Sequence, residues 1–178
     1  MPPFREAFIR PRMQRLDHRW AGLLAALASA VALILVHGSE WLLGFVPCAL
    51  CLIERWPWRV AFLLGILAAL LPRRAGRPVL GLVLLVLAAS AGLGALHIGV
   101  EQHFWPSPLP ECAAPELHGR TLAQLLASMP ARPNKPCDAP SYLIPGLPLS
   151  MAAMNLLYSL VILAVLASYL AGSRGESR

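Results

Sequence analysis

Charge is what this sequence has least of: 13% of its 178 residues are Asp, Glu, Lys or Arg, where a soluble domain carries about a quarter. With 57% hydrophobic residues and a mean hydropathy of +0.62, that scarcity excludes an ordinary soluble globule and defines an integral membrane protein. The formal net charge of +6 does not point to nucleic acid, because the basic residues flank apolar runs instead of interleaving with exposed aromatics. A Gly-rich phosphate loop is also missing, which excludes a flavin or nucleotide site of that kind. No small-x-small cleavage site follows the first apolar run, where His37, Gly38, Ser39 and Glu40 stand. The run is therefore read as a retained span and not a removed signal peptide.

What the chain does have is four apolar segments long enough to cross about 30 Å of hydrocarbon as helices. They cover about 20–36, 49–71, 79–100 and 147–171, within a single membrane domain spanning 1–178. Arg5, Arg10, Arg12, Arg15 and Arg19 precede the first, Arg73, Arg74 and Arg77 fill the expected turn Pro72–Pro78, and Arg174 and Arg178 follow the fourth. Ten of the 15 Lys and Arg residues thus fall on one side, so both termini and the middle loop are expected in the cytoplasm. The outward loops are then about 37–48 and 101–146.

Those two loops hold all four cysteines: Cys48 and Cys51 in Pro47-Cys48-Ala49-Leu50-Cys51, and Cys112 with Cys137. Between the pairs the chain crosses twice, so they share a face even if each span shifts by several residues. A face outside the reducing cytoplasm lets thiols cycle through disulfides. In the chain-entropy model a bridge within the CxxC is worth about 1.9 kcal/mol and one closing the longer loop about 3.5. The short pair reads as chemistry, and the longer pair as structural, catalytic or both.

Pro47 suits a helix entry, which puts Cys48 and Cys51 in or just before the first turn of the second span. Unpaired N–H groups and the positive dipole end there favour a thiolate. Arg55, four residues after Cys51, shares its helical face. It either lowers the thiol pKa and holds an anionic ligand oxygen, or snorkels to headgroups or pairs with Glu54 or a lipid phosphate. Snorkelling is the reading for Arg59, and Trp56 and Trp58 read as interface anchors, or one of them as lining a ligand pocket. His97, at the outer end of the third span, is an interface histidine or a contact for a ligand at headgroup level; His103 reads as the former.

In the second outward loop, His103-Phe104-Trp105-Pro106-Ser107-Pro108-Leu109-Pro110-Glu111-Cys112 carries three prolines. They predict an extended path ending at an exposed Cys112. Thr121-Leu122-Ala123-Gln124 fits a capping box, and Leu122, Leu125, Leu126 and Met129 recur at helical spacing. The pattern predicts a short helix, ended by Pro130, lying on the membrane surface. The turn-rich Ala131–Asp138 stretch is expected to let Cys137 move.

Taken together, Pro47-Cys48-Ala49-Leu50-Cys51 followed by Glu54-Arg55, the Trp105-Pro106-Ser107-Pro108 run leading to Cys112, and Cys137 before a fourth span resemble the bacterial DsbB family of disulfide-bond-formation proteins. The likeness runs from the first span to the fourth. The vitamin K epoxide reductase family also carries four cysteines in a helical bundle, but its CxxC comes late in the chain.

The resemblance implies an all-α integral membrane protein, a four-transmembrane-helix bundle with a short membrane-surface helix in the second outward loop. It implies a quinone-linked thiol oxidase (ubiquinone or menaquinone) in the bacterial inner membrane that reoxidises a periplasmic DsbA-type thioredoxin-fold protein. By the same likeness the reduced partner attacks Cys112, Cys137 is released and exchanges with Cys48, and Cys51 passes electrons to quinone beside Arg55; His97, by its position alone, is expected as a further cofactor contact. Of three possible connectivities, Cys48 with Cys51 and Cys112 with Cys137 is expected at rest. The stretch Ala139–Pro145 has more proline than such relatives lead one to expect. Two other classes stay open: a tetraspan scaffold with two structural disulfides, and a four-cysteine metal site, whose second pair is too widely spaced to suit zinc.

Overall fold

The computed structural model describes residues 18–112, 121–127, 135–144 and 146–172. Four long helices, α1 His18–Leu43, α2 Ala49–Leu70, α3 Arg73–Glu101 and α5 Met151–Gly172, form a bundle, with a six-residue helix α4, Leu122–Ala127, between α3 and α5. α1 packs on α2, α2 on α3 and α3 on α5, while α1 also touches α3 and α5. Three of the four, α1, α3 and α5, are long and apolar enough to span a membrane. The remaining helix, α2, carries Glu54, Arg55 and Arg59. Glu54 and Arg55 turn into the bundle and are buried, while the Arg59 guanidinium stacks 5.2 Å from the Trp56 ring centre. Leu27, Ile34, Leu63, Leu85 and Val161 face outward, as they must where lipid is the solvent.

Helices approach closely where side chains are smallest. A methyl group on Gly22 would meet the Gly65 carbonyl oxygen at 2.7 Å, and one on Gly65 would meet the Ala26 nitrogen at 2.7 Å. Ala21, Ala25, Ala61 and Ala68 continue this seam, and Leu80, Val83, Leu87 and Leu166 fill the space beside it. Trp58, expected at the interface, belongs to this core and is 4% exposed. Its ring lies 5.3 Å from that of Tyr158, and its indole N–H donates to Asn155 Oδ1 at 2.8 Å. A buried indole with a hydrogen-bond partner has no need of the interface.

Helix ends differ from the expected spans in ways that matter for the site. α1 runs on through His37–Leu43, which the hydropathy pattern places in a loop. Its last turns are held by His37 Nδ1 on the Leu33 carbonyl at 2.8 Å and Ser39 Oγ on that of Val36 at 2.8 Å. Gly44, at φ 69°, ends the helix, with its N–H on the Glu40 carbonyl at 3.1 Å, an αL cap. Glu40 therefore stands on the final helical turn, facing α2. The expected turn Pro72–Pro78 is helical from Arg73 onward, because the Pro72 carbonyl accepts from Ala75 and Gly76 at 2.9 and 2.8 Å. α5 starts at Met151 rather than 147. Arg5, Arg10, Arg12, Arg15, Met129, Pro130, Pro145, Arg174 and Arg178 lie outside the described residues.

Candidate functional site: two disulfides and a buried polar cluster

Cys48 is the N-cap of α2, with extended backbone (φ −82°, ψ 169°), and its sulfur accepts the Cys51 backbone N–H at 3.1 Å. A helix-terminal N–H aimed at sulfur favours its anionic form. The sequence allows that favour to either cysteine of the pair, and the geometry gives it to Cys48. The two sulfurs form one disulfide, and Cys112 with Cys137 forms the other, with Cα atoms 5.1 and 4.9 Å apart respectively. This is the pairing expected at rest.

The second pair is brought to the first by three local devices. The chain turns back at His103, whose φ of 60° is the left-handed conformation, and Trp105 lays its ring over Gly99, its indole N–H donating to the Leu96 carbonyl at 3.1 Å. Pro110–Cys112 then closes a 3₁₀ turn, with the Cys112 N–H on the Leu109 carbonyl at 3.1 Å. On the other side of the bridge, the backbone of Lys135 pairs in parallel with that of Cys48, and the Cys137 N–H donates to the Cys112 carbonyl at 3.3 Å. Cys48, Cys112 and Cys137 share one apolar cluster with Leu50 and Val100.

Burial corrects one expectation. Cys112, expected to be extended and exposed, is 5% exposed, and Cys137 is 0% exposed. The prolines direct the chain into the 3₁₀ turn against α2 instead of out into solvent. Cys137, expected to move, is held by a strap. The Lys135 ammonium donates to the Pro140 carbonyl at 3.1 Å and to Ser141 Oγ at 2.5 Å; burial holds it below the usual lysine range, with Glu101 opposing the shift. The Met151 N–H donates to the Ser141 carbonyl at 2.8 Å, and Ser150 Oγ to Glu101 Oε2 at 2.5 Å.

Beneath the disulfides lies a buried polar cluster. His97 presents Nε2 to Cys48 Sγ at 3.6 Å and Nδ1 to Glu54 Oε1 at 2.7 Å. Glu54 Oε2 accepts from Asn155 Nδ2 at 3.0 Å. Arg55 is not paired with Glu54: its guanidinium grips Glu40, with Nη1 on Oε2 at 3.1 Å and Nη2 on Oε1. Arg55 is 7% exposed, so it does not snorkel, and its Nε is buried with no hydrogen-bond partner among the described residues. Cys51, Arg55 and His97 line one cleft with Phe45, Trp58 and Asn155, of about 70 Å³ internal volume.

The structure thus brings Cys48, Cys51, Cys112, Cys137 and His97 together and sets Arg55 one helical turn along α2 from Cys51, lining the same cleft. Sequence reasoning missed Glu40, Asn155 and the orienting role of Glu54. Asn155 offered a signal, as a lone amide in an apolar span is a functional candidate by default. Glu40 offered none, because its value depends on α1 continuing past His37. Among the described residues the convergent group of possible metal ligands is Cys48, Cys51 and His97, not the four cysteines.

Two disulfides packed together at one end of a membrane helix bundle, over a histidine and a carboxylate, define a membrane protein for thiol–disulfide exchange. The profile of the family described as Disulfide bond formation protein DsbB matches residues 18–169, and the chain belongs to that family. It is also similar to an uncharacterized protein, RP370, of Rickettsia prowazekii (strain Madrid E), at 27% identity over 145 residues, covering 81% of this chain and 83% of that one. No solved structure matches the chain. Membership implies thiol oxidoreductase activity, in a family that generally uses quinone and a DsbA-type partner.

Proposed function

We propose that this protein reoxidises a periplasmic DsbA-type dithiol protein and delivers the electrons to the quinone pool of a bacterial inner membrane. Both termini lie in the cytoplasm and the four cysteines face the periplasm, a reading supported by the ten clustered basic residues. The observation that carries the quinone assignment is the buried, unpaired Nε of Arg55 in the cleft that Cys51 also lines. A buried donor without a partner costs about 1–3 kcal/mol, and a quinone oxygen is an acceptor that removes the cost. The cleft itself is smaller than the ~150 Å³ apolar cavity that takes up benzene, so side chains at its mouth must shift to admit a ring.

A quinone, ubiquinone or menaquinone, supplies a two-electron, two-proton acceptor that lets the Cys48/Cys51 dithiol close again to a disulfide. The chain's own residues do the rest. Cys112 receives the partner's thiolate, and Cys137 leaves as a thiolate. The Cys48–Lys135 backbone pairing keeps Cys137 near Cys48, which Cys137 attacks, and Cys51 leaves beside the cleft. Arg55 offers positive charge and a free N–H there, Glu40 fixes its orientation, and His97 lines the same wall. Purified protein in detergent, given reduced DsbA-type partner and a short-chain quinone, should consume one quinone per partner disulfide formed. Partner oxidation that proceeds without quinone past two partner disulfides per enzyme, the capacity of its own two disulfides, would refute the assignment.

A further inference from the structure

Cys48, His97 and Glu54 form a buried line: Sγ to Nε2 at 3.6 Å, and Nδ1 to Oε1 at 2.7 Å. That is the arrangement of a thiol, its base and the group that orients the base. A carboxylate at Nδ1 holds the proton on that nitrogen and leaves the Nε2 lone pair facing sulfur. Glu54 is itself fixed, by Asn155 Nδ2 at 3.0 Å, and Asn155 by the Trp58 indole at 2.8 Å. His97 is 3% exposed, so water does not compete for the proton. The backbone of Cys137, the sulfur that exchanges with Cys48, approaches the same ring.

Resting on the thiol-exchange reading above, we infer that His97 is the acid–base residue for Cys48, with Glu54 as its positioning residue. In exchange between the pairs, Cys137 thiolate attacks Cys48 Sγ and Cys51 leaves with the bonding electrons. Cys112 thiolate next attacks Cys137 Sγ, the Cys112–Cys137 bond re-forms, and Cys48 leaves with its electrons and takes from Nε2 the proton that Cys137 gave up to that nitrogen on becoming a thiolate. Two cysteines are oxidised and two reduced, and the two protons given up by Cys112 and Cys137 are matched by two taken up at Cys48 and Cys51. When the Cys48–Cys51 bond closes again in the presence of a disulfide oxidant, Cys51 first attacks that oxidant and carries half of it as a mixed disulfide; the Cys48 thiol then gives its proton to Nε2 and attacks Cys51 Sγ, and the carried thiol leaves with the bonding electrons. The other charged groups facing this line are Glu101 on α3, Lys135 of the strap through Glu101, and the Arg55–Glu40 pair across the cleft.

The size of the effect follows from thiol ionisation. A thiol of ordinary acidity is only a few per cent thiolate at pH 7, so a base in contact gains it up to about tenfold to 30-fold there and little above pH 9. The test uses neither quinone nor partner protein: fully reduced, quinone-free protein in detergent is oxidised with glutathione disulfide. Acid quenching and mass-tagging of free thiols follow each pair, glutathione leaving as its thiolate when a pair closes. His97→Gln should slow closure of Cys48–Cys51 by about tenfold to 30-fold at pH 7 and less than about twofold at pH 9.5, with Cys112–Cys137 closing at the wild-type rate. Glu54→Gln should give a smaller loss with the same pH trend. Closure of Cys48–Cys51 at the wild-type rate with the wild-type pH profile overturns the inference. So does slowing by one factor at every pH, which is what loosened helix packing produces. Because no quinone is present, failure here is distinct from failure of the quinone assignment.

Discussion

Glu40, on the last turn of α1, grips the guanidinium of Arg55 on α2 with both carboxylate oxygens, Oε2 at 3.1 Å from Nη1. Both side chains are largely shielded, at 9% and 18% exposure for Arg55 and Glu40. A planar fork held this way cannot turn freely, and the nitrogen left over, Nε, has no acceptor among the described residues. The pair therefore fixes the direction of one donor in a cleft next to a reactive sulfur.

Arg55→Lys should raise the apparent quinone KM about tenfold or more, since an ammonium can replace the charge but neither the two-pronged grip on Glu40 nor the spare N–H. A hydrogen bond to a charged group is worth about 1.5–3 kcal/mol, equal to about tenfold to 150-fold, and Arg55→Met should reach the upper part of that range. Glu40→Gln should fall between wild type and Arg55→Lys. Steady-state quinone titration of the four proteins measures this. Equal KM values would place the quinone away from Arg55.

Cys137→Ser should trap the partner protein on Cys112. With Cys137 present, its thiol can return to Cys112 and expel the partner, because backbone pairing holds the two residues together. Removing it leaves the mixed disulfide without its internal competitor. Non-reducing electrophoresis and peptide mapping identify the trapped cysteine. An adduct on Cys48 instead would reverse the proposed order of attack.

Gly99→Ala should loosen the second disulfide without touching the first. An added methyl group would lie 1.9 Å from the Trp105 ring, so the indole must leave its place and lose the Leu96 carbonyl. The segment from Trp105 to Cys112 is then less firmly seated on α3. Reduction of Cys112–Cys137 by a small thiol should accelerate about tenfold, and reduction of Cys48–Cys51 should change less than about twofold. Thiol tagging after brief reduction resolves the two. Equal acceleration of both would mean that Gly99 supports the bundle end as a whole.

The long helices were legible because lipid demands continuous apolar runs, and the cysteine pairing because a CxxC leaves its sulfurs adjacent. The capping box was also legible: the Thr121 N–H meets Gln124 Oε1 at 3.3 Å and the Gln124 N–H meets Thr121 Oγ1 at 3.3 Å. What escaped was set by tertiary contact. Hydropathy ends the first span near Val36, but side-chain hydrogen bonds carry α1 on to Leu43 and deliver Glu40 to Arg55. Prolines before Cys112 suggest extension into solvent, yet the site available to Trp105 over Gly99 folds the segment back. His97 was visible as a residue but not as a partner of Cys48, since 49 positions separate them and only the α2–α3 packing brings them together.

α4 offers the remaining prediction. Its six residues expose Leu122 at 73% and Leu126 at 56%, and two leucines four positions apart stand on one helical face. A helix this short is not stable alone in water, so an apolar face that the described residues leave uncovered fits an apolar surface, which we propose is a lipid leaflet. Burying each leucine contributes about 1.5–3 kcal/mol, so one charge is tolerated and two release the face. Leu122→Asp combined with Leu126→Asp should therefore slow exchange between the cysteine pairs severalfold, with the quinone KM unchanged, because the cleft is built from α1, α2, α3 and α5. Leu126→Asp alone should slow it less than about twofold. Depth-sensitive fluorescence from a probe at position 123 should show α4 leaving the bilayer in the double variant only. Wild-type turnover in the double variant, with the probe still at the same depth, would mean that α4 is held by the protein rather than by lipid.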